Sequence, residues 1–231
     1  MKVVIFGATG MVGQGVLREC LLDPEVELVE TVGRAATGVQ NAKLREIVRE
    51  DLFDYQSIEP QLTGFDACFW CLGVSSTGMN EADYERVTYT MTMAAAESLA
   101  RLNSQMTFVY VSGVGTDSTE NGRIMWARIK GKTENALMRL PFRAVYLFRP
   151  GFIQPLHGIE SRTPAYRKFY KFAKPLMPLA CWAFPSRILT TEEIGRAMLA
   201  VVRKAPSRRI LESADIKVVS RPPKAPQRDP T

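Results

Sequence analysis

The residues with the most definite chemistry stand at the start of the chain. Gly7-Ala8-Thr9-Gly10-Met11-Val12-Gly13 repeats glycine at every third position. That spacing suits a pyrophosphate: Gly7 permits a tight turn, Gly10 lets backbone approach the anion, and Gly13 lets a following helix pack against the preceding strand. Thr9, Met11 and Val12 complete the turn, at a helix start whose unpaired N–H groups and partial positive charge favour an anion. The plain alternative is a turn that binds nothing. The context decides between the two, because Lys2-Val3-Val4-Ile5-Phe6 reads as a buried strand and an amphipathic run to Leu22 follows the glycines. Strand, glycine turn and helix in that order form a dinucleotide fingerprint.

The elements that must position this turn repeat along the chain. Strands are expected at Val26 to Val32, Leu44 to Glu50, Asp66 to Cys71, Met106 to Ser112, Arg143 to Phe148 and Arg209 to Glu212. Between them, Tyr84, Val87, Met91, Ala94, Ala95, Leu99 and Leu102 recur mostly at three- and four-residue steps, predicting a helix over Glu81 to Leu102. A second helix is expected from Gly122 to Leu140, stopped by Pro141, and a third at Thr190, where Thr190 and Glu193 form a capping box. Alternating strands and helices imply an α/β fold, a Rossmann-type doubly wound parallel sheet. Prolines break the pattern after Phe152, so residues 153–208 are expected to contribute a small C-terminal cap to a single domain over 1–220. The Pro-rich residues 221–231 should form a disordered tail.

Cofactor choice turns on the end of the second strand. An NAD site places an acid about 20 residues beyond the glycines; here Gly33 is followed by Arg34. A guanidinium suits a 2′-phosphate by charge and fork geometry, which favours NADP(H) over NAD(H). The bland alternative for Arg34 is an exposed loop arginine. Asp51-Leu52 follows the third strand, where an acid could accept from the adenine amino group or merely serve a turn.

Other features carry less. Cys68 and Cys71 have the spacing of a redox or metal pair, but a strand turns them to opposite faces, so buried thiols and no metal are expected. His157 is the single histidine and reads as a loop residue or pocket wall. The net charge of +6 divides unevenly, with −4 over residues 1–160 and +10 over 161–231. Solvated basic faces account for this, with an anionic substrate or contact at a membrane surface as the functional alternatives. No nucleic-acid motif is present, and no apolar run approaches the roughly 20 residues of a membrane span. With no leader before the first strand, a cytoplasmic protein is expected.

Taken together, the glycine turn, Arg34, Asp51-Leu52, Cys71-Leu72-Gly73, Val109-Tyr110-Val111-Ser112 and Arg149-Pro150-Gly151-Phe152 resemble atypical short-chain dehydrogenases of the extended type. The resemblance is to the NAD(P)-binding group of NmrA-like and Tat-interacting-protein-like proteins, described as nucleoside-diphosphate-sugar epimerase-like. It spans roughly Met1 to Glu212. It implies that Leu72, Gly73, Pro150, Gly151 and Phe152 join the cofactor site. It also implies a serine, a tyrosine and a lysine as the catalytic set. Ser112 matches the serine and Lys130 the lysine, which would also touch the nicotinamide ribose. Trp126 stands where the tyrosine belongs and would wall the substrate pocket. An indole N–H donates a hydrogen bond but exchanges no proton usefully near neutral pH. Tyr84, Tyr89 and Tyr110 read better as core or helix surface than as substitutes.

Three readings follow. The first is an NADPH-dependent reductase of unknown small-molecule substrate whose proton comes from water or another side chain. The second is a non-catalytic NADP(H)-binding regulator or redox sensor. The third, a sugar-nucleotide epimerase, ranks last, because it needs the tyrosine and a larger substrate domain. A monomer or a homodimer would serve either of the first two.

Overall fold

A computed structural model describes residues 1–159 and 187–221. Seven strands form one parallel sheet: β1 (Lys2–Phe6), β2 (Leu28–Gly33), β3 (Leu44–Val48), β4 (Ala67–Trp70), β5 (Thr107–Val111), β6 (Ala144–Arg149) and β9 (Ile210–Glu212). Their order is β3-β2-β1-β4-β5-β6-β9. Chain order runs outward from β1 to β3, then returns and runs the other way from β4. The reversal lies between β1 and β4, which pair in register from Val3–Ala67 to Phe6–Trp70. Ligands of open α/β sheets settle outside the strand carboxyl ends at such a reversal. The glycine turn leaves β1 there, and Cys71-Leu72 leaves β4 beside it.

Alternation along each strand divides the core in two. Val3 and Ile5 join Val16, Phe69, Val109 and Tyr146 on one face of the sheet. Val4 and Phe6 join Trp70, Phe108, Leu99 and Leu147 on the other. The central strands are buried on both sides, which is why they read as unbroken apolar runs.

Helix α1 (Met11–Leu22) lies on the first face with α5 (Thr191–Lys204) beside it. The two approach closely because a Cβ at Gly15 would stand 2.6 Å from Thr191 Cβ, and one at Gly195 2.8 Å from Glu19 Cγ. Ile194, Ala197, Met198 and Val201 of α5 are therefore core residues. Within the C-terminal part, α5 thus packs as a layer of the main fold. Its capping box forms as expected, with Glu193 N donating to Thr190 Oγ1 and Thr190 N to the Glu193 carboxylate.

Other expectations shift at their edges. The run from Glu81 to Leu102 divides into α2 (Glu81–Glu85), a π turn (Arg86–Thr90) and α3 (Met91–Leu102). A 3.6-residue period carries through a single widened turn and conceals it. Helix α4 (Met125–Leu137) starts later than expected, because the Asp117 carboxylate accepts from the N–H groups of Thr119 and Gly122 and holds that stretch as a loop. Four elements were not anticipated. Strands β7 (Phe152–Gln154) and β8 (Ile188–Thr190) pair in parallel, Ser213–Val219 forms α6, and Gln56–Leu62 forms a 3-10 turn. Residues 160–186 of the expected cap (153–208) and residues 222–231 of the expected tail (221–231) lie outside the described residues.

Candidate functional site

The cleft over the sheet reversal is built from backbone. Gly7 has a φ of 79°, and a Cβ on it would stand 2.8 Å from the Cys71 carbonyl carbon and the Leu72 nitrogen. A Cβ on Gly13 would stand 2.0 Å from the Gly7 carbonyl oxygen. Both positions thus demand glycine, one by conformation and both by contact. Gly10 N donates to Gly7 O at 2.9 Å and closes the turn. No acidic side chain stands in the first turn of α1, and Gly10 offers no side-chain cap. The orphan N–H groups at the helix start have an opening where an anion is favoured.

A cleft joins this turn to the second strand. Gly7, Ala8, Thr9, Val32, Gly33, Arg34, Leu52 and Leu72 line it, with Thr31, Ala35 and Thr37. Six of the cofactor residues expected from sequence are brought together here: Gly7, Thr9, Gly33, Arg34, Leu52 and Leu72. Arg34 is exposed at its rim. Asp51 does not line the cleft; its carboxylate accepts from Phe53 N at 2.7 Å, so in this structure it serves a turn.

Two neighbours of the cleft escaped the sequence reading. Arg49 N donates to Gly33 O at 2.9 Å, its guanidinium stands 5.6 Å from the Tyr55 ring centre, and its buried Nη1 has no protein partner. Glu46 accepts from Thr31 Oγ1 at 3.2 Å and Thr37 N at 2.8 Å, tying β3 to the loop after β2. Arg49 could have been found from its place just beyond a strand that pairs with β2. A dinucleotide fits this set: a glycine cradle that any Cβ would fill, a helix start without an acid, and a buried guanidinium nitrogen lacking an acceptor.

The second cluster sits at the carboxyl ends of β5 and β6. Lys130 Nζ donates to the backbone carbonyl of Ser112 at 2.8 Å. Burial pushes the Lys130 amine down to about 8, against an upward pull from Glu134. The Ser112 hydroxyl is oriented onto Glu134 Oε1 at 2.6 Å, with the Phe148 carbonyl at 3.1 Å. This differs from the expected role of Ser112 as a donor to substrate, since its hydrogen faces the protein. Glu134 is wholly buried and also receives Arg149, whose Nε lies 3.1 Å from Oε1. Arg149 Nη2 reaches Glu134 Oε2 and Ser118 Oγ. The Glu134 bonds hold the Arg149 guanidinium above its usual range, against burial, which lowers it. Glu134 was missed, although it lies one turn beyond Lys130 on the same helix.

Trp126 is partly buried, and a Cβ on Gly115 would touch its ring at 3.6 Å. Tyr84 and Tyr110 are each 1% exposed, and burial raises both phenols. Lys132 Nζ stands over the Tyr89 ring. Pro150 and Gly151 bond elsewhere in the protein: Val114 N donates to Pro150 O at 3.0 Å, and Gly151 N to Ser213 Oγ at 2.8 Å. Phe152 begins β7, and Gly73 does not line the cleft. Cys68 and Cys71 occupy opposite core faces, as the strand demands. Burial raises both thiols, and that of Cys20. His157 Nε2 meets Glu192 at 2.9 Å. Among the described residues no group of three or more His, Cys, Asp or Glu could hold a metal, and no helix is long and apolar enough to cross a membrane.

Residues 3–121 match the NAD dependent epimerase/dehydratase family. The chain is 30% identical to protein fmp52, mitochondrial, of Emericella nidulans over 216 residues, covering 89% of this chain and 91% of that one. It is 30% identical to protein FMP52-2, mitochondrial, of Scheffersomyces stipitis over 151 residues, 64% of this chain and 65% of that one. Against HTATIP2 of Rattus norvegicus identity is 26% over 155 residues, 66% and 62% of the two chains. Among solved structures, an oxidoreductase of the short chain dehydrogenase/reductase family from Burkholderia thailandensis superposes with a TM-score of 0.65 at 17% identity, covering 92% of this chain and 90% of that one. The Bordetella bronchiseptica enzyme WbmF, in complex with NAD+, gives 0.66 at 14% identity, covering 94% and 76%. The fungal relatives are named as mitochondrial proteins, which overturns the expectation of a cytoplasmic one.

Proposed function

Because the chain belongs to the NAD dependent epimerase/dehydratase family, within the atypical short-chain dehydrogenases, we propose that it is an NADP(H)-dependent oxidoreductase acting on a small carbonyl substrate. The family binds a nicotinamide dinucleotide, and the glycine cradle supplies the pyrophosphate site. The choice of NADP(H) rests on one observation: Arg34, not an acid, stands at the rim of the cleft beside Gly33. A guanidinium pairs with a phosphate dianion in bidentate fashion, whereas ribose hydroxyls call for a carboxylate. Arg49, just beyond β3 and bonded through its N–H to Gly33 O, adds positive charge beside the same strand end, with its Nη1 unpartnered.

When bound, the dinucleotide supplies hydride. The residues of this chain hold and orient it. Gly7 to Gly13 receive the pyrophosphate, Arg34 the 2′-phosphate, Leu52 and Leu72 the flanks of the adenosine, and Lys130 the nicotinamide ribose. Trp126 walls the substrate pocket. The test is a fluorescence titration with NADPH and NADH on the native chain and on Arg34→Ala. Tighter binding of NADPH that weakens in the variant supports the reading; equal binding of both nucleotides refutes it.

A second reading draws on Trp126. An indole in the tyrosine position favours a regulator that binds NADP(H) and senses its redox state without turnover. Such a protein would distinguish NADPH from NADP+ in affinity and would not oxidise NADPH with any acceptor.

A further inference from the structure

We propose that Lys130 is the proton donor of this site, giving a proton of its own ammonium to the oxygen of a carbonyl substrate in the place of the missing tyrosine. The proposal rests on the reductase reading above. In the step, hydride from a reduced nicotinamide dinucleotide forms the new C–H bond as the carbonyl π bond breaks. The Lys130 N–H bond breaks as the new O–H bond forms. An alcohol and an oxidised dinucleotide result, and the neutral amine regains its proton from water.

The geometry leaves this role to Lys130. Trp126 lies one turn before it on α4 and has no proton to exchange. The Ser112 hydroxyl points its hydrogen into the protein, at Glu134 Oε1 or the Phe148 carbonyl. Arg149 is clamped by Glu134 and holds its proton tightly. The phenols of Tyr84 and Tyr110 are enclosed. Lys130 differs from all of these. Its ammonium has three donors, and the Ser112 carbonyl takes one of them at 2.8 Å. That contact fixes Nζ at the carboxyl end of β5, where substrates of open α/β sheets lie.

The charges around it make the ammonium ready to give up a proton. Its partner is a neutral carbonyl. Glu134, on its own helix, is the acid facing it, and that carboxylate is shared with Ser112 and with Arg149 from β6. Glu212 of β9 stands 3.8 Å from Arg149, on the arginine rather than on the lysine. On the layer packed against α4, Glu81 is held by Arg128 and Glu85 by Lys132. A partly buried ammonium without a carboxylate of its own is pushed toward working pH, where a general acid is most effective.

The first test needs no variant. Lys130 in the native chain is acetylated with acetic anhydride across pH 6 to 11, and its labelling is read by peptide mass spectrometry. A midpoint near 8 is expected; the midpoint of an ordinary lysine, about 10.4, overturns the proposal. The second test follows NADPH oxidation with 4-nitrobenzaldehyde. At saturating NADPH, Lys130→Arg should lose roughly 100-fold or more in kcat, and the native kcat should decline as pH rises through the labelling midpoint. A variant that turns over at the native rate with the native pH profile overturns the proposal, as does a native chain that binds NADPH and reduces no aldehyde. A native chain that binds no NADPH refutes instead the cofactor reading beneath it.

Discussion

Glu134 of α4 and Ser112 at the end of β5 are joined by a 2.6 Å hydrogen bond inside the protein, on a carboxylate with no exposed surface. Arg149 completes the charge balance from β6. The bond locks the helix that carries Trp126 and Lys130 onto the strand whose end forms the site. Truncating Glu134 would leave the largely covered Arg149 guanidinium with only Glu212, 3.8 Å away, and the Ser112 hydroxyl without its acceptor. Glu134→Ala should therefore lose about 3–5 kcal/mol of stability, read as a lower urea midpoint at unchanged slope. A loss below about 1 kcal/mol would mean that the pair is not buried in solution.

Arg34→Ala should weaken NADPH binding and leave NADH binding nearly unchanged. A charged hydrogen-bonding contact is worth about 1.5–3 kcal/mol, or roughly 10- to 150-fold in affinity. Isothermal titration with both nucleotides measures the difference. Equal losses for both would place Arg34 on a part of the cofactor that they share.

Gly13→Ala puts a methyl carbon where the Gly7 carbonyl oxygen now lies, at 2.0 Å. The helix must move away from the turn, so binding of both nucleotides should fall together, with a lower melting temperature. Gly38→Ala is the control for folding, with nothing within 4 Å of its Cβ but a φ of 76°. It should cost about 1 kcal/mol or a little more and leave nucleotide affinity intact.

Trp126→Tyr restores a phenol one turn before Lys130. Carbonyl-reductase turnover should appear or rise, measured as NADPH consumption with an aldehyde. A variant that still binds NADPH but shows no gain would remove Trp126 from the substrate pocket.

Asp23, at the end of α1, accepts from Arg203 of α5 at 2.6 Å. Burial opposes its ionisation, but the Arg203 hydrogen bond, the Glu25 N–H and the charges of Arg203 and Lys43 outweigh that and hold the carboxyl below its usual range. A depressed acid stabilises the fold above its unfolded value, near 3.9, and loses that contribution as pH falls through the folded one. Asp23→Asn should thus lower stability at pH 7 by up to about 1 kcal/mol, for a partly exposed pair, and flatten the acid limb of a denaturation profile between about pH 5 and 2.

Local chemistry made half of this protein legible. The glycine turn, the alternation that splits Cys68 from Cys71, the capping box at Thr190 and Glu193, and Arg34 at the end of β2 each depend on residues close in sequence. Their spacing alone therefore determined the strands of the main sheet, most helices, the α/β class and the glycine turn at the end of β1. The π turn inside the 81–102 helix stayed hidden because one widened turn barely disturbs a helical period. The tertiary structure decided what is joined across the chain. Glu134 meets Ser112 from 22 residues away, and Arg49 reaches Gly33 only because β3 pairs with β2. Helix α5 enters the core because Gly15 and Gly195 let it close on α1. A buried carboxylate, an orphan guanidinium and a lysine resting on a carbonyl owe their chemistry to desolvation and to partners that only packing supplies, and neither leaves a mark on local sequence.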